Sequence, residues 1–85
     1  MKEFSYVIKD EIGIHARPAG LLVKVAKGCK SKITLTANGK TAEASKLMAV
    51  MSLGAKQGTE VVVRADGADE DAAITKMADF MTSNL

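Results

Sequence analysis

The dipeptide Asn38-Gly39 is the feature that most constrains how this chain can fold. A two-residue hairpin loop needs positive φ at both central positions, and Asn-Gly accepts that conformation at little cost. The flanking segments carry the matching pattern. Residues 32–37 alternate, with Ile33 and Leu35 on one side, and residues 40–43 return as a short strand. The chain therefore contains an antiparallel sheet. Residues 2–9 extend it, with Phe4, Tyr6 and Ile8 on one face and Glu3, Ser5 and Lys9 largely on the other. Residues 60–66 carry Val61-Val62-Val63, a continuous apolar run that predicts a central strand.

Helical spacing fills the intervals. Over residues 16–27, Ala19, Leu22, Val23 and Ala26 recur three and four apart, and Gly28 stands where a C′ glycine belongs. Residues 46–53 read as a short helix ending at Gly54. Asp69 is expected to cap a last helix, with Glu70 and Asp71 against its positive end and Ala73, Ile74, Met77, Phe80 and Met81 as its apolar stripe. The order is β-α-β-β-α-β-α. Four strands cannot bury a face alone, so the helices should cover one face and leave the other solvated. The expected fold is α+β: an open-faced β-sandwich of a four-stranded antiparallel sheet with three helices on one face, forming one domain over residues 1–85.

Composition narrows the functions. At 85 residues the core is modest, and Cys29, the only cysteine, can form no internal disulfide. The apolar runs are too short for a membrane helix, and the start Met-Lys-Glu-Phe-Ser has no apolar signal core. A cytoplasmic protein without a membrane partner is expected. The net charge of +2, the absence of Trp and the scattered Phe4, Tyr6 and Phe80 argue against nucleic acid. One His and one Cys are too few for a zinc site of nitrogen and sulfur ligands. Glu60, Asp66, Asp69, Glu70 and Asp71 read as solvated or capping carboxylates rather than metal ligands. No metal and no other cofactor is expected.

The lone histidine lies in Gly13-Ile14-His15-Ala16-Arg17-Pro18-Ala19. Pro18, with fixed φ and no N–H, suits a first helical turn, which puts His15 at or beside the N-cap. The N–H groups of Ala16 and Arg17 then point out of the helix end and make an anion site. Arg17 adds a guanidinium suited to phosphate. The positive helix end favours the neutral imidazole, which is the nucleophilic form. Phosphate on Nδ1, the ring nitrogen nearer the backbone, could reach those N–H groups; on Nε2 it would project away. The alternative is a histidine that simply caps the helix.

This motif resembles the active-site segment of the HPr family, the histidine-containing phosphocarriers of the bacterial sugar phosphotransferase system. The resemblance extends along the chain. It takes in Asn38-Gly39-Lys40 at the hairpin, Met48-Ala49-Val50-Met51-Ser52-Leu53-Gly54 at the second helix and Gly67-Ala68-Asp69-Glu70 before the last helix. It implies a phosphoryl group accepted from phosphorylated enzyme I on Nδ1 of His15 and passed to IIA domains of sugar permeases. Arg17 would be the phosphate partner. The protein would be a stoichiometric carrier rather than a turnover enzyme, and a monomer. Cys29 has no part in this pattern and is expected to pack or stand idle.

Partners would dock beside His15. Arg17, Gly20, Leu21, Lys24 and Lys27 lie off the core stripe of the first helix. Leu47, Met48 and Met51 of the second helix read from the residues alone as core or surface; the resemblance places them on the docking surface, as an apolar patch with a basic rim. Basic side chains facing acidic partners raise encounter rates more than affinity. Gly20 costs helix stability relative to alanine, and its bare backbone suits close approach.

The sequence departs from the family at one regulatory position. Many Gram-positive members carry a serine at position 46 that an ATP-dependent HPr kinase modifies, and the product acts with a catabolite repressor. Here the residue is Lys46, with Ser45 adjacent and expected to be the N-cap of the second helix. The kinase and the repressor are therefore doubtful partners. Two other functions stay open: a regulatory interaction protein acting on repressors or enzymes, and a carrier for a non-sugar branch. The intact His15-Arg17 pair favours the sugar phosphocarrier.

Overall fold

The computed structural model describes all 85 residues. It contains β1 (Lys2–Val7), α1 (Ala16–Lys27), β2 (Lys32–Ala37), β3 (Lys40–Glu43), α2 (Leu47–Met51), β4 (Glu60–Asp66) and α3 (Glu70–Asn84). The strands form one antiparallel sheet in the order β1-β4-β2-β3. The Val-rich strand β4 is central, as its continuous apolar run implies.

Register sorts the side chains by face. Phe4, Val63, Leu35 and Ala42 lie opposite one another across the four strands, and Val63, Leu35 and Ala42 are buried there. One residue on, the row Ser5, Val62, Thr36 and Thr41 points the other way. On that side the Thr36 and Thr41 hydroxyls share a hydrogen bond of 3.0 Å, and Arg64 donates to Glu3 at 3.4 Å. A period of two thus gives one greasy face and one wet face. The helices cover the greasy face through Ala19, Leu22, Val50, Met77 and Met81, all fully buried. Val23 and Ile74, expected in the apolar stripes, are half-buried and pack against this core.

The Asn38-Gly39 turn has φ of 53° and 75°, the positive pair that a type I′ hairpin requires. Four local expectations are corrected. Gly28 closes α1 with φ −77°, a right-handed value, so it is not a left-handed C′ cap. Its N–H instead continues the helical bonding to the carbonyls of Lys24 and Val25. The second helix stops at Met51 rather than reaching residue 53, because the bonding tightens: Leu53 N–H bonds Val50 and Gly54 N–H bonds Met51, each three residues back. Its N-cap is Lys46, not Ser45.

The fourth correction is Asp69. It sits at the N-cap of α3 but makes no capping bond to that helix. Its carboxylate accepts instead from the N–H groups of Lys30 at 2.9 Å and Ser31 at 2.7 Å, and from the Ser31 hydroxyl. The chain crosses itself tightly here: a Cβ on Gly67 would lie 2.7 Å from the Ser31 Cα. Asp69 is therefore spent on tying the segment after α1 to the start of α3.

The Ser31 hydroxyl, and then the two N–H groups, hold the Asp69 carboxyl below the ordinary carboxylate range. A lowered folded-state value means that this tie stabilises the protein above the unfolded value, about pH 4, and is lost as pH falls through the folded value. Wild type should therefore lose stability more steeply between about pH 4 and pH 2 than Asp69→Asn. Urea unfolding across that range checks this; parallel pH profiles for the two proteins would contradict it.

Candidate functional site

The segment before α1 is clamped from behind. Gly13 is buried with φ +83°. A Cβ there would lie 2.7 Å from the Lys56 Cα and closer still to the Ala55 carbonyl oxygen. Ile14, itself buried, donates its N–H to the same Ala55 oxygen at 2.9 Å. Only glycine allows this approach, and it fixes where His15 emerges.

His15 is the N-cap residue of α1, with extended backbone at φ −116° and ψ −178°. Its carbonyl accepts the Ala19 N–H at 2.9 Å, while its imidazole makes no capping bond. The half-buried ring is thus left free, and the expectation of a capping histidine is not what the geometry shows. Pro18 falls inside the first turn, where its missing N–H leaves no bond unmade. The N–H groups of Ala16 and Arg17 have no acceptor in the protein.

The charges around this helix end match the open N–H groups. α3 carries Glu70 and Asp71 in its first turn, whereas α1 carries no acidic residue in its first turn. Arg17 is exposed and pairs with no carboxylate. The positive end of α1 is therefore uncompensated along the helix itself, and it is suited to an anion arriving from outside.

His15, Arg17, Pro18 and Leu21 line one open cleft together with Asp10 and Asn84. Sequence reasoning missed the last two. Asp10 reaches the cleft through a turn in which its Oδ1 accepts the Ile12 N–H at 2.8 Å. Asn84 arrives from the far end of the chain, held by a bond from Nδ2 to the Phe80 carbonyl at 3.1 Å. Asp10, three residues before Gly13, was a visible signal; nothing local to residue 84 was.

The residues expected to dock partners separate into two groups. Leu21, Leu47 and Met48 are exposed large apolar side chains, Met48 the most at 75 %. Lys24 and Lys27 are exposed beside them on α1. Met51 is half-buried and packs against the core, so it offers less surface. A Cβ on Gly20 would meet nothing within 4 Å, so the fold itself does not require glycine there. Ile12, 67 % exposed, is an apolar residue near the cleft that sequence reasoning did not pick out. Lys46 reaches Glu43 at 3.7 Å, and Ser45 precedes the helix without a side-chain hydrogen bond. Cys29 is half-buried, its thiol directed to the Val25 carbonyl at 3.4 Å. No three His, Cys, Asp or Glu side chains gather where they could hold a metal ion.

An open-faced sandwich with one free histidine at an open helix start defines a class, and comparison with known proteins gives it a family. The model of the HPr component phosphorylation site of the phosphotransferase system matches residues 2–83. The chain is 43% identical over 81 residues to the phosphocarrier protein HPr of Mycoplasma capricolum, covering 95% of this chain and 91% of that one. Its fold is similar to a mycoplasma histidine-containing phosphocarrier protein, with TM-score 0.93 and 41% identity over 96% of this chain and 93% of that one. It is also similar to HPr of Thermoanaerobacter tengcongensis, with TM-score 0.92 and 41% identity over 98% and 93%. The chain belongs to the HPr family of phosphocarriers of the phosphotransferase system.

Because Arg17 is exposed and unpaired, Arg17→Ala should change folding stability by less than about 1 kcal/mol. Loss of a charge-assisted contact to phosphate should slow transfer by about tenfold to a hundredfold. Urea unfolding and rapid-quench transfer assays measure the two. Unfolding of the variant with normal transfer in its folded fraction would show a structural side chain instead.

Proposed function

We propose that this chain accepts a phosphoryl group from phosphorylated enzyme I on Nδ1 of His15 and delivers it to IIA domains of sugar permeases. The observation that carries the reading is the free His15 ring at a helix start whose Ala16 and Arg17 N–H groups have no acceptor. In the acceptance step the neutral ring nitrogen attacks phosphorus. The N–P bond forms as the donor's bond to phosphorus breaks, and the donor keeps that electron pair. Attached at Nδ1, the phosphoryl oxygens lie within reach of the open N–H groups and of Arg17. Onward transfer reverses the roles: an acceptor nucleophile attacks phosphorus and the N–P electron pair returns to the ring.

The protein is on this reading a stoichiometric intermediate, one domain over residues 1–85, working as a monomer in the cytoplasm. No helix is long and apolar enough to cross a membrane. Gly20, Leu21, Lys24, Lys27, Leu47 and Met48 form the docking face, with Met51 supporting it from below. The patch is apolar with lysines at its edge, which suits brief contact with acidic partner surfaces. Lys46 holds a fixed positive charge where the family's regulatory serine stands, and its position favours docking without a serine switch.

Incubation with enzyme I and phosphoenolpyruvate should give an acid-labile label on wild type and none on His15→Ala. Phosphorus NMR should assign the label to Nδ1. A stable label on His15→Ala, or none on wild type, would contradict the assignment.

A further inference from the structure

The groups to which the proposed function gives a role in holding phosphate all favour the phosphorylated state. The helix end, the two open N–H groups and the Arg17 guanidinium each attract a dianion. A carrier must also release what it holds, and a site that only attracts would retain the phosphoryl group. Asp10 is the one carboxylate side chain lining the same cleft.

Asp10 is held firmly. Its N–H donates to the Leu85 oxygen at 2.7 Å, its carbonyl accepts the Gly13 N–H at 3.1 Å, and Oδ1 accepts the Ile12 N–H at 2.8 Å. No lysine or arginine nitrogen lies within 4.0 Å of the carboxylate, Arg17 included. Its negative charge is therefore neither swung away nor cancelled by a partner.

We propose that Asp10 sets the phosphoryl-transfer potential of this carrier, acting as a fixed anion that destabilises phospho-His15 and thereby promotes onward transfer. The inference rests on His15 being the phosphoacceptor. Asp10 forms and breaks no bond in the transfer; it acts through its field on the phosphoryl oxygens. Coulomb repulsion between separated charges in a solvated cleft is modest and screened by salt, so the expected effect is a few-fold.

The test compares carriers directly at equilibrium. Isotopically labelled wild type and unlabelled Asp10→Asn are mixed with a catalytic amount of enzyme I and too little phosphoenolpyruvate to fill both. Intact-mass spectra then give the phosphorylated fraction of each. Because the partition is an equilibrium between free carriers, it is independent of how well either docks. Asn keeps an oxygen for the Ile12 N–H, so the turn is preserved; Asp10→Ala, which loses that acceptor, is compared in the same way.

Both variants should hold about threefold more phosphoryl group than wild type. The difference should shrink when salt rises from about 0.05 M to about 0.5 M. Equal partition, or less phosphoryl on Asp10→Asn, would overturn the proposal. A shift confined to Asp10→Ala would also overturn it, because it would mark the side chain as a turn element only. Failure of the proposed function would look different: wild type would carry no label on His15 at all.

Discussion

The N–H groups of Ala16 and Arg17 have no acceptor within the protein, and a helix end left open in this way must be met by water or by an anion. The surrounding structure keeps it open. Gly13 and Ile14 are pinned to Ala55, so the chain enters α1 along one fixed path and His15 is carried to the surface in extended conformation. Had the imidazole turned back to cap the helix, the ring nitrogen that accepted the Arg17 N–H would be engaged and unavailable as a nucleophile. The open N–H groups and the freedom of the ring therefore come from one geometric choice, made by Gly13, Ile14 and Ala55 behind the site.

The two long helices show that the open end is not a general property of the chain. α3 begins with Glu70 and Asp71, which answer its dipole within the first turn. The carboxylate at its N-cap, Asp69, is used to tie Lys30 and Ser31 beside it. That tie and the buried packing of Met77 and Met81 secure the scaffold on the sheet. α1 has no acid in its first turn and carries Lys24 and Lys27 in its last. Its outer side is exposed at Leu21, next to the exposed Leu47 and Met48 of α2. A sheet with one wet face completes the division: the core and the cleft at His15 both lie on the helical side.

Much of this was legible in the sequence because strong local rules apply where the pattern is clean. Asn38-Gly39 accepts the positive-φ pair of a two-residue hairpin at little cost, alternation in β2 leaves one possible register face, and Pro18 after His15 places the start of α1. Legibility failed where tertiary contact decided between equal local options. Asp69 followed by acids looks like an N-cap, yet Ser31 comes from another part of the chain and takes the carboxylate. Gly28 looks like a left-handed cap, yet the turn toward Cys29 continues with right-handed dihedrals. Ser45 looks like a capping serine, yet the helix begins one residue later. The His15-Arg17 pair was visible as a contiguous motif. Asn84 was not, because only the closing of α3 against the start of α1 brings it to the cleft.

The central claim is that the open end of α1 receives the phosphoryl group carried by His15. Amide proton–nitrogen NMR spectra of the protein before and after phosphorylation test it most directly, because a new hydrogen bond to a phosphate oxygen is read at the donating N–H itself. The account predicts that the Ala16 and Arg17 amide protons move strongly downfield and exchange with solvent more slowly in the phosphorylated protein, while the amides of β2 and β4 stay where they are. Unchanged Ala16 and Arg17 amides in a fully phosphorylated protein would contradict it.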